Sequence, residues 1–179
     1  VARNDIKVFT LTGRAGCGKT RFVHDNYGPD VRYNVFDMKA PWFDGYDGKP
    51  VMLLDEMGPD QMGLGFLKKL LDRYDLTLPI KGGSVAMAAT TIFITSNYVV
   101  ADWYPRAGPE DFAALARRMT CIDCDVAGWE VRLRALCGLP DPLLAAVVDV
   151  PPPAVAAPMS PVATLAWPMT DDDEDMFAL

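Results

Sequence analysis

Eight consecutive residues, Gly13-Arg14-Ala15-Gly16-Cys17-Gly18-Lys19-Thr20, restrict what this chain can fold into more than any other segment. The spacing GxxxxGKT carries physical meaning when a strand precedes it and a helix follows. Both conditions are met. Lys7-Val8-Phe9-Thr10-Leu11-Thr12 mixes β-branched and apolar residues in strand fashion, and Arg21-Phe22-Val23-His24 opens a helix that Gly28-Pro29 ends. In that setting the glycines let the backbone curl until successive N–H groups face inward, and the helix adds its positive end. The product is a cradle for a polyphosphate, with Lys19 placed to neutralise the β and γ phosphates of ATP and Thr20 to hold Mg²⁺. Kinases, GTPases and motors share such a loop, so alone it specifies only nucleotide binding.

A second segment narrows the chemistry. Val51-Met52-Leu53-Leu54 is apolar at every position, as in a strand buried on both faces, and Asp55-Glu56 follow at its C-terminal edge, where parallel sheets bind ligands. Asp55 suits the Mg²⁺ shell; Glu56 suits the orientation and polarisation of an attacking water. A further buried strand, Thr91 to Thr95, delivers Asn97 to the same edge. A neutral amide there can hold water or a γ-phosphate without adding negative charge, although an asparagine ending a strand is also an ordinary turn residue.

Between these strands, Phe66, Leu67, Leu70, Leu71 and Tyr74 recur at helical spacing, and Leu76–Ile80 with Ser84–Met87 flank the turn Lys81-Gly82-Gly83 as a β-hairpin. Helices are expected from Pro109 to Arg118 and from Trp129 to Leu136. Alternating strands and helices imply an α/β fold, a parallel sheet flanked by helices with the hairpin inserted. After Leu139 the composition changes: eight of the fifteen prolines lie there. The expected division is a folded domain over 1–138 and a Pro-rich, acidic, disordered tail over 139–179, with a short element allowed between Leu143 and Val150.

Charge and cysteine usage exclude several classes. The seven acids from Leu139 onward carry the whole net charge of −7, leaving 1–138 neutral, so any nucleic-acid contact must be local rather than spread over a basic face. No apolar run approaches the ~20 residues of a membrane span, and the first residues lack the apolar stretch of a signal peptide. Cys121-Ile122-Asp123-Cys124 has no second pair and no nearby histidine, so it reads as ordinary thiols rather than a zinc or redox site. His24, the sole histidine, is given no chemistry.

The order of motifs carries a resemblance. GxxxxGKT, Trp42-Phe43-Asp44-Gly45-Tyr46-Asp47-Gly48, Leu53-Leu54-Asp55-Glu56, Asp72-Arg73-Tyr74-Asp75-Leu76 with Ile80-Lys81-Gly82-Gly83, and Ile94-Thr95-Ser96-Asn97 together resemble the superfamily 3 helicase domain of replication-associated (Rep) proteins from circular single-stranded DNA viruses, the circovirus-like group. It implies an AAA+-type P-loop ATPase that drives DNA unwinding. Gly13 to Thr20 become the ATP phosphate site, Asp55 and Glu56 the acidic pair and Asn97 the sensor.

The hairpin would meet single-stranded DNA through Lys81, and Arg118, preferred over Arg117, would act on ATP held by a neighbour. The implied assembly is a hexameric ring and the implied location the host nucleus. The nuclease half of such proteins has no counterpart in these 179 residues and Val1 is not a methionine, so a piece of a longer chain, without nicking or joining activity, is expected. The run Asp171 to Asp175 before Met176-Phe177-Ala178-Leu179 suggests either a solvating tail or a docking tip for a replication partner. An RNA helicase and an inactive P-loop scaffold are the competing readings.

Overall fold

A computed structural model describes residue 3 and residues 5–141. The chain divides into two units, and these residues fall in the first, Val1–Asp141. Five strands, β1 (Lys7–Thr12), β2 (Arg32–Val35), β3 (Val51–Leu54), β6 (Thr91–Ser96) and β7 (Thr120–Asp123), form one sheet in the order β2-β3-β6-β1-β7, and every neighbouring pair is parallel. The hairpin is β4 (Thr77–Ile80) with β5 (Gly83–Ala86). Helices α1 (Lys19–Asn26), α2 (Leu64–Leu70), α3 (Val100–Trp103), α4 (Pro109–Ala116) and α5 (Trp129–Cys137) complete the described elements. The α/β class, the parallel sheet and the inserted hairpin match the sequence expectation.

Strand alternation divides the core. Met52 and Leu54 of β3 join Ile92 and Ile94 of β6 in one apolar cluster, while Val51 and Leu53 join Phe93, Phe9 and Leu11 in another. Side chains of successive strand residues point to opposite faces, so the two clusters are the two faces of one sheet, and a continuous apolar run is what such a strand needs. Each fully buried Leu or Phe contributes about 1.5–3 kcal/mol through this burial.

The helix expected through Tyr74 stops sooner. α2 ends at Leu70, and Tyr74 is 63% exposed with the Arg73 guanidinium over its ring. Arg3 explains the stop: buried to 3% exposure, its guanidinium donates to the carbonyls of Leu70, Ala89, Asp72 and Tyr74. Carbonyls at a helix end need outside donors, and one guanidinium supplies several. Burial lowers the pKa of Arg3 from its ordinary value, opposed by nearby Tyr46, Asp72 and Asp75. α4 also ends early, at Ala116, so Arg117 and Arg118 lie just past it.

The hairpin turn is tighter than expected. Ile80 pairs with Gly83, leaving Lys81-Gly82 as the turn, with Gly82 at φ +85°. The aromatic segment is its mount: Phe43 N–H donates to Pro79 O at 2.9 Å, Lys81 N–H to Asp44 Oδ1 at 2.7 Å and Ala88 N–H to Tyr46 Oη at 2.9 Å. Phe43 is fully buried, which fixes this mount to the core.

The tail expectations, including the Leu143–Val150 element and the Asp171–Leu179 tip, lie outside the described residues.

Candidate active site

Four adjacent strands end on one edge. β3 delivers Asp55 and Glu56, β6 delivers Asn97, β1 runs into Gly13 to Gly18, and β7 leads to Asp125. Register keeps the ends level, since Leu54 pairs with Ile94, Thr12 with Ser96, and Thr12 again with Asp123.

The loop between β1 and α1 depends on glycine. Gly13 stands at φ +148°, and a Cβ there would lie 3.2 Å from Cys17 Sγ and 3.3 Å from Asp125 Cγ. Gly18 caps α1 at φ +96°. Arg14, Ala15 and Gly16 form the open side of the curl, with Arg14 exposed; Cys17 is half-buried within it. A cavity of about 290 Å³ opens here, lined by Ala15, Gly16, Gly18, Lys19, Thr20, Glu56 and Asn97 among others.

Lys19 is buried, and its ammonium donates to Gly13 O at 2.7 Å, Arg14 O at 2.8 Å and Asn97 Oδ1 at 3.0 Å. An ammonium has three N–H groups, and these three oxygens engage them at short range, with Cys17 Sγ a fourth, longer contact at 3.5 Å. Next to the cavity-lining Thr20 and Thr95 the Asp55 carboxylate is the hub: Oδ1 accepts from Thr20 Oγ1 and from Thr95 Oγ1, both at 2.6 Å. Thr95 Oγ1 also accepts the Glu56 N–H at 2.8 Å, and Met57 N–H donates to Thr95 O at 2.7 Å. Glu56 sits at φ +60°, an unfavourable left-handed conformation for a side-chain-bearing residue, and these bonds on either side of it hold it there.

Sequence reasoning therefore missed Thr95 and Ser96 as site residues. Thr95 reads as any β-branched strand residue; only the β3–β6 register places it beside Asp55. Ser96 Oγ donates to Met57 O at 2.7 Å and accepts from Trp103 Nε1 at 3.0 Å and Tyr98 N–H at 2.9 Å, which fixes the chain around Asn97.

Lys81 and Arg118 stand apart from this cavity. The Lys81 side chain is 80% exposed at the hairpin turn, with its ammonium 3.5 Å from Asp44. Arg118 donates through Nε at 3.2 Å and through Nη2 to Asp72 Oδ2, and through Nη1 to Ala114 O at 2.6 Å; it lines a separate surface groove with Lys68, Lys69 and Tyr74. The Arg118 hydrogen bond holds the Asp72 carboxyl below the usual aspartate range. Cys121 is exposed, whereas Cys124 is buried and its thiol is pushed up to about 12 by desolvation first and by Cys17 next.

The family described as RNA helicase matches residues 9–98, a span that runs from β1 through the cradle, Asp55-Glu56 and the hairpin to Asn97. This chain belongs to that helicase family, of the superfamily 3 type. Curated relatives agree: the replication-associated protein of Porcine circovirus 2 is 35% identical over 118 residues, covering 64% of this chain and 36% of the relative. That of Porcine circovirus 1 is 35% identical over 115 residues, with the same coverage of each, and that of Beak and feather disease virus is 35% identical over 103 residues, covering 55% and 32%. The chain thus spans about a third of the length of the curated relatives it matches. Among the described residues no helix is long and apolar enough to cross a membrane.

Proposed function

We propose that this helicase domain is the ATP-hydrolysing motor of a replication initiator of a circular single-stranded DNA virus, working on single-stranded DNA in the host nucleus as part of a homo-oligomeric ring, a hexamer. The observation that carries the reading is the meeting of Lys19, Thr20, Glu56 and Asn97 around one cavity, with Asp55 hydrogen-bonded to Thr20, within a helicase-family chain. The motor would comprise residues 1–138 and the tail 139–179, whose acidic tip would recruit a host or viral replication protein.

The donor set fits Mg²⁺. Thr20 hydroxyl and Asp55 carboxylate are hard oxygen ligands already 2.6 Å apart, and Mg²⁺ takes few protein ligands, completing its shell with water and phosphate oxygens. When bound, the ion would neutralise charge on the β and γ phosphates. Lys19 exchanges one of its present acceptors for a phosphate oxygen. Within the phosphate site Gly13 to Thr20, the N–H groups from Ala15 to Thr20 cradle the remaining phosphates, the Arg14 N–H being held by Asp125. Asn97, released from Lys19, holds the γ-phosphate or the water, and Glu56 polarises that water. Arg118 serves the ATP of the next subunit once it leaves Asp72, and its distance from the Lys19 cavity suits action between chains.

Lys81, beside a glycine on an exposed turn, reaches the strand phosphates. An RNA strand is the second reading, favoured by the description of the matching family and by a phosphate contact that does not read the sugar. The test is ATP hydrolysis with oligothymidylate, with oligouridylate and with neither. Stimulation by oligothymidylate, lost in Lys19→Ala, supports the DNA motor; stimulation by oligouridylate alone moves the reading to RNA; no hydrolysis rejects both.

A further inference from the structure

Asp125 lies two residues beyond β7 and touches the phosphate loop from outside the cavity. Its carboxylate accepts the Arg14 N–H, at 3.1 Å to Oδ2 and 3.3 Å to Oδ1, and stands 3.5 Å from Arg14 Nε. The loop approaches it so closely that a Cβ on Gly13 would meet Asp125 Cγ at 3.3 Å and Asp125 N at 3.4 Å. Asp125 is itself held, because its N–H donates to Asp123 Oδ1 at 3.0 Å and the preceding Cys124 N–H donates to Thr12 O at 2.7 Å. The carboxylate is thereby anchored to the sheet edge through β7 and β1.

The same peptides are held from inside. Gly13 O and Arg14 O are the two shortest contacts of the Lys19 ammonium. Arg14 is thus gripped on both sides, its N–H by Asp125 and its C=O by Lys19. A triphosphate competes for Lys19, and each donor it takes loosens the inner grip. The outer grip does not change hands, since the Arg14 N–H faces Asp125 rather than the cavity lining.

We infer that Asp125 is a positioning residue for nucleotide binding, a carboxylate clamp that keeps the first turn of the phosphate loop curled while Lys19 turns from loop carbonyls to phosphate. The inference rests on the proposed nucleotide site. It makes a prediction of unusual sign. Removing a carboxylate beside a phosphate site should tighten binding if charge repulsion were its main effect. A clamp predicts the reverse for Asp125→Ala, and separates charge from hydrogen bonding in Asp125→Asn, which keeps an acceptor oxygen without the charge.

The experiment measures affinity for a fluorescent ATP analogue in wild type, Asp125→Ala and Asp125→Asn, together with hydrogen exchange of the Arg14 amide in nucleotide-free protein. The clamp predicts about tenfold weaker binding in Asp125→Ala, the scale of one lost hydrogen bond, with affinity restored in Asp125→Asn. It also predicts slow Arg14 exchange in wild type and Asp125→Asn, and fast exchange in Asp125→Ala. Equal or tighter binding in Asp125→Ala, or an Arg14 amide that exchanges freely in wild type, overturns it. The exchange result stands whether or not nucleotide binds, so absence of binding by wild type would reject the nucleotide site and leave the clamp judged by exchange alone.

Discussion

The Lys19 ammonium donates to Asn97 Oδ1 at 3.0 Å, which links the phosphate loop after β1 to the end of β6 across the cavity. Asn97 thus occupies the donor that a γ-phosphate requires, and the two residues are expected to part when nucleotide enters. Asn97→Ala removes the competitor for Lys19 together with the amide proposed to hold the water. Nucleotide affinity should stay level or rise while kcat falls about 10²–10³-fold, the usual loss for one preorganised polar group at a reacting centre. Separate titration of binding and turnover checks this; a parallel loss of both would show that Asn97 acts in binding.

Thr95 is the hinge between the acidic pair and β6. Thr95→Val keeps the shape but leaves the Glu56 N–H without its acceptor and Asp55 with one donor fewer. The expected loss is about 1–3 kcal/mol of folding stability, read by urea denaturation, together with reduced turnover because Glu56 no longer has support at φ +60°. Stability equal to wild type would contradict the assignment of Thr95 as that support.

Asp44 restrains Lys81 twice, through its amide at 2.7 Å and its ammonium at 3.5 Å. Asp44→Asn keeps an acceptor for the amide and releases the charge. Oligothymidylate should then bind more tightly, and Lys81→Ala should lower the salt slope of binding by about one. Titrations at several salt concentrations decide; a slope unchanged by Lys81→Ala would remove Lys81 from the strand contact.

Acid should weaken the Asp72–Arg118 pair, whose side chains are 23% and 15% exposed. The folded-state pKa of Asp72 lies below its ordinary 3.8, chiefly through the Arg118 hydrogen bond. A depressed carboxyl stabilises the fold above its unfolded pKa and ceases to do so as pH falls through the folded one. Asp72→Asn should therefore be less stable than wild type at neutral pH by about 1 kcal/mol. The gap should close as pH falls below the ordinary aspartate value, and denaturation curves at several pH values measure it. A gap independent of pH would mean that the pair contributes through packing alone.

Much of this site was legible because its parts obey local rules. The glycine spacing, the all-apolar β3 ending in Asp55-Glu56, and the strand leading to Asn97 each carry their own period and punctuation, and the sheet brought them together as expected. Other features depend on partners far away in sequence. Arg3 caps the end of α2 by satisfying carbonyls 67–71 residues distant, Thr95 gains its role from register, and Asp125 from the fold of β7 against β1. No local pattern marks a residue whose task is to meet a distant backbone group. The aromatic segment is distinctive in sequence, but its task, mounting the hairpin through Phe43, Asp44 and Tyr46, is set by contacts formed only in three dimensions.

Under the proposed function this cavity hydrolyses ATP in response to single-stranded DNA, at sites completed between copies of the chain. The specific ATPase rate as a function of protein concentration, with and without oligothymidylate, tests it most directly. The expected result is a rate per molecule that rises with concentration and rises further with oligothymidylate, both responses being lost in Lys19→Ala and the concentration dependence weakened in Arg118→Ala. A rate per molecule that is flat with concentration and indifferent to single strands would contradict the account.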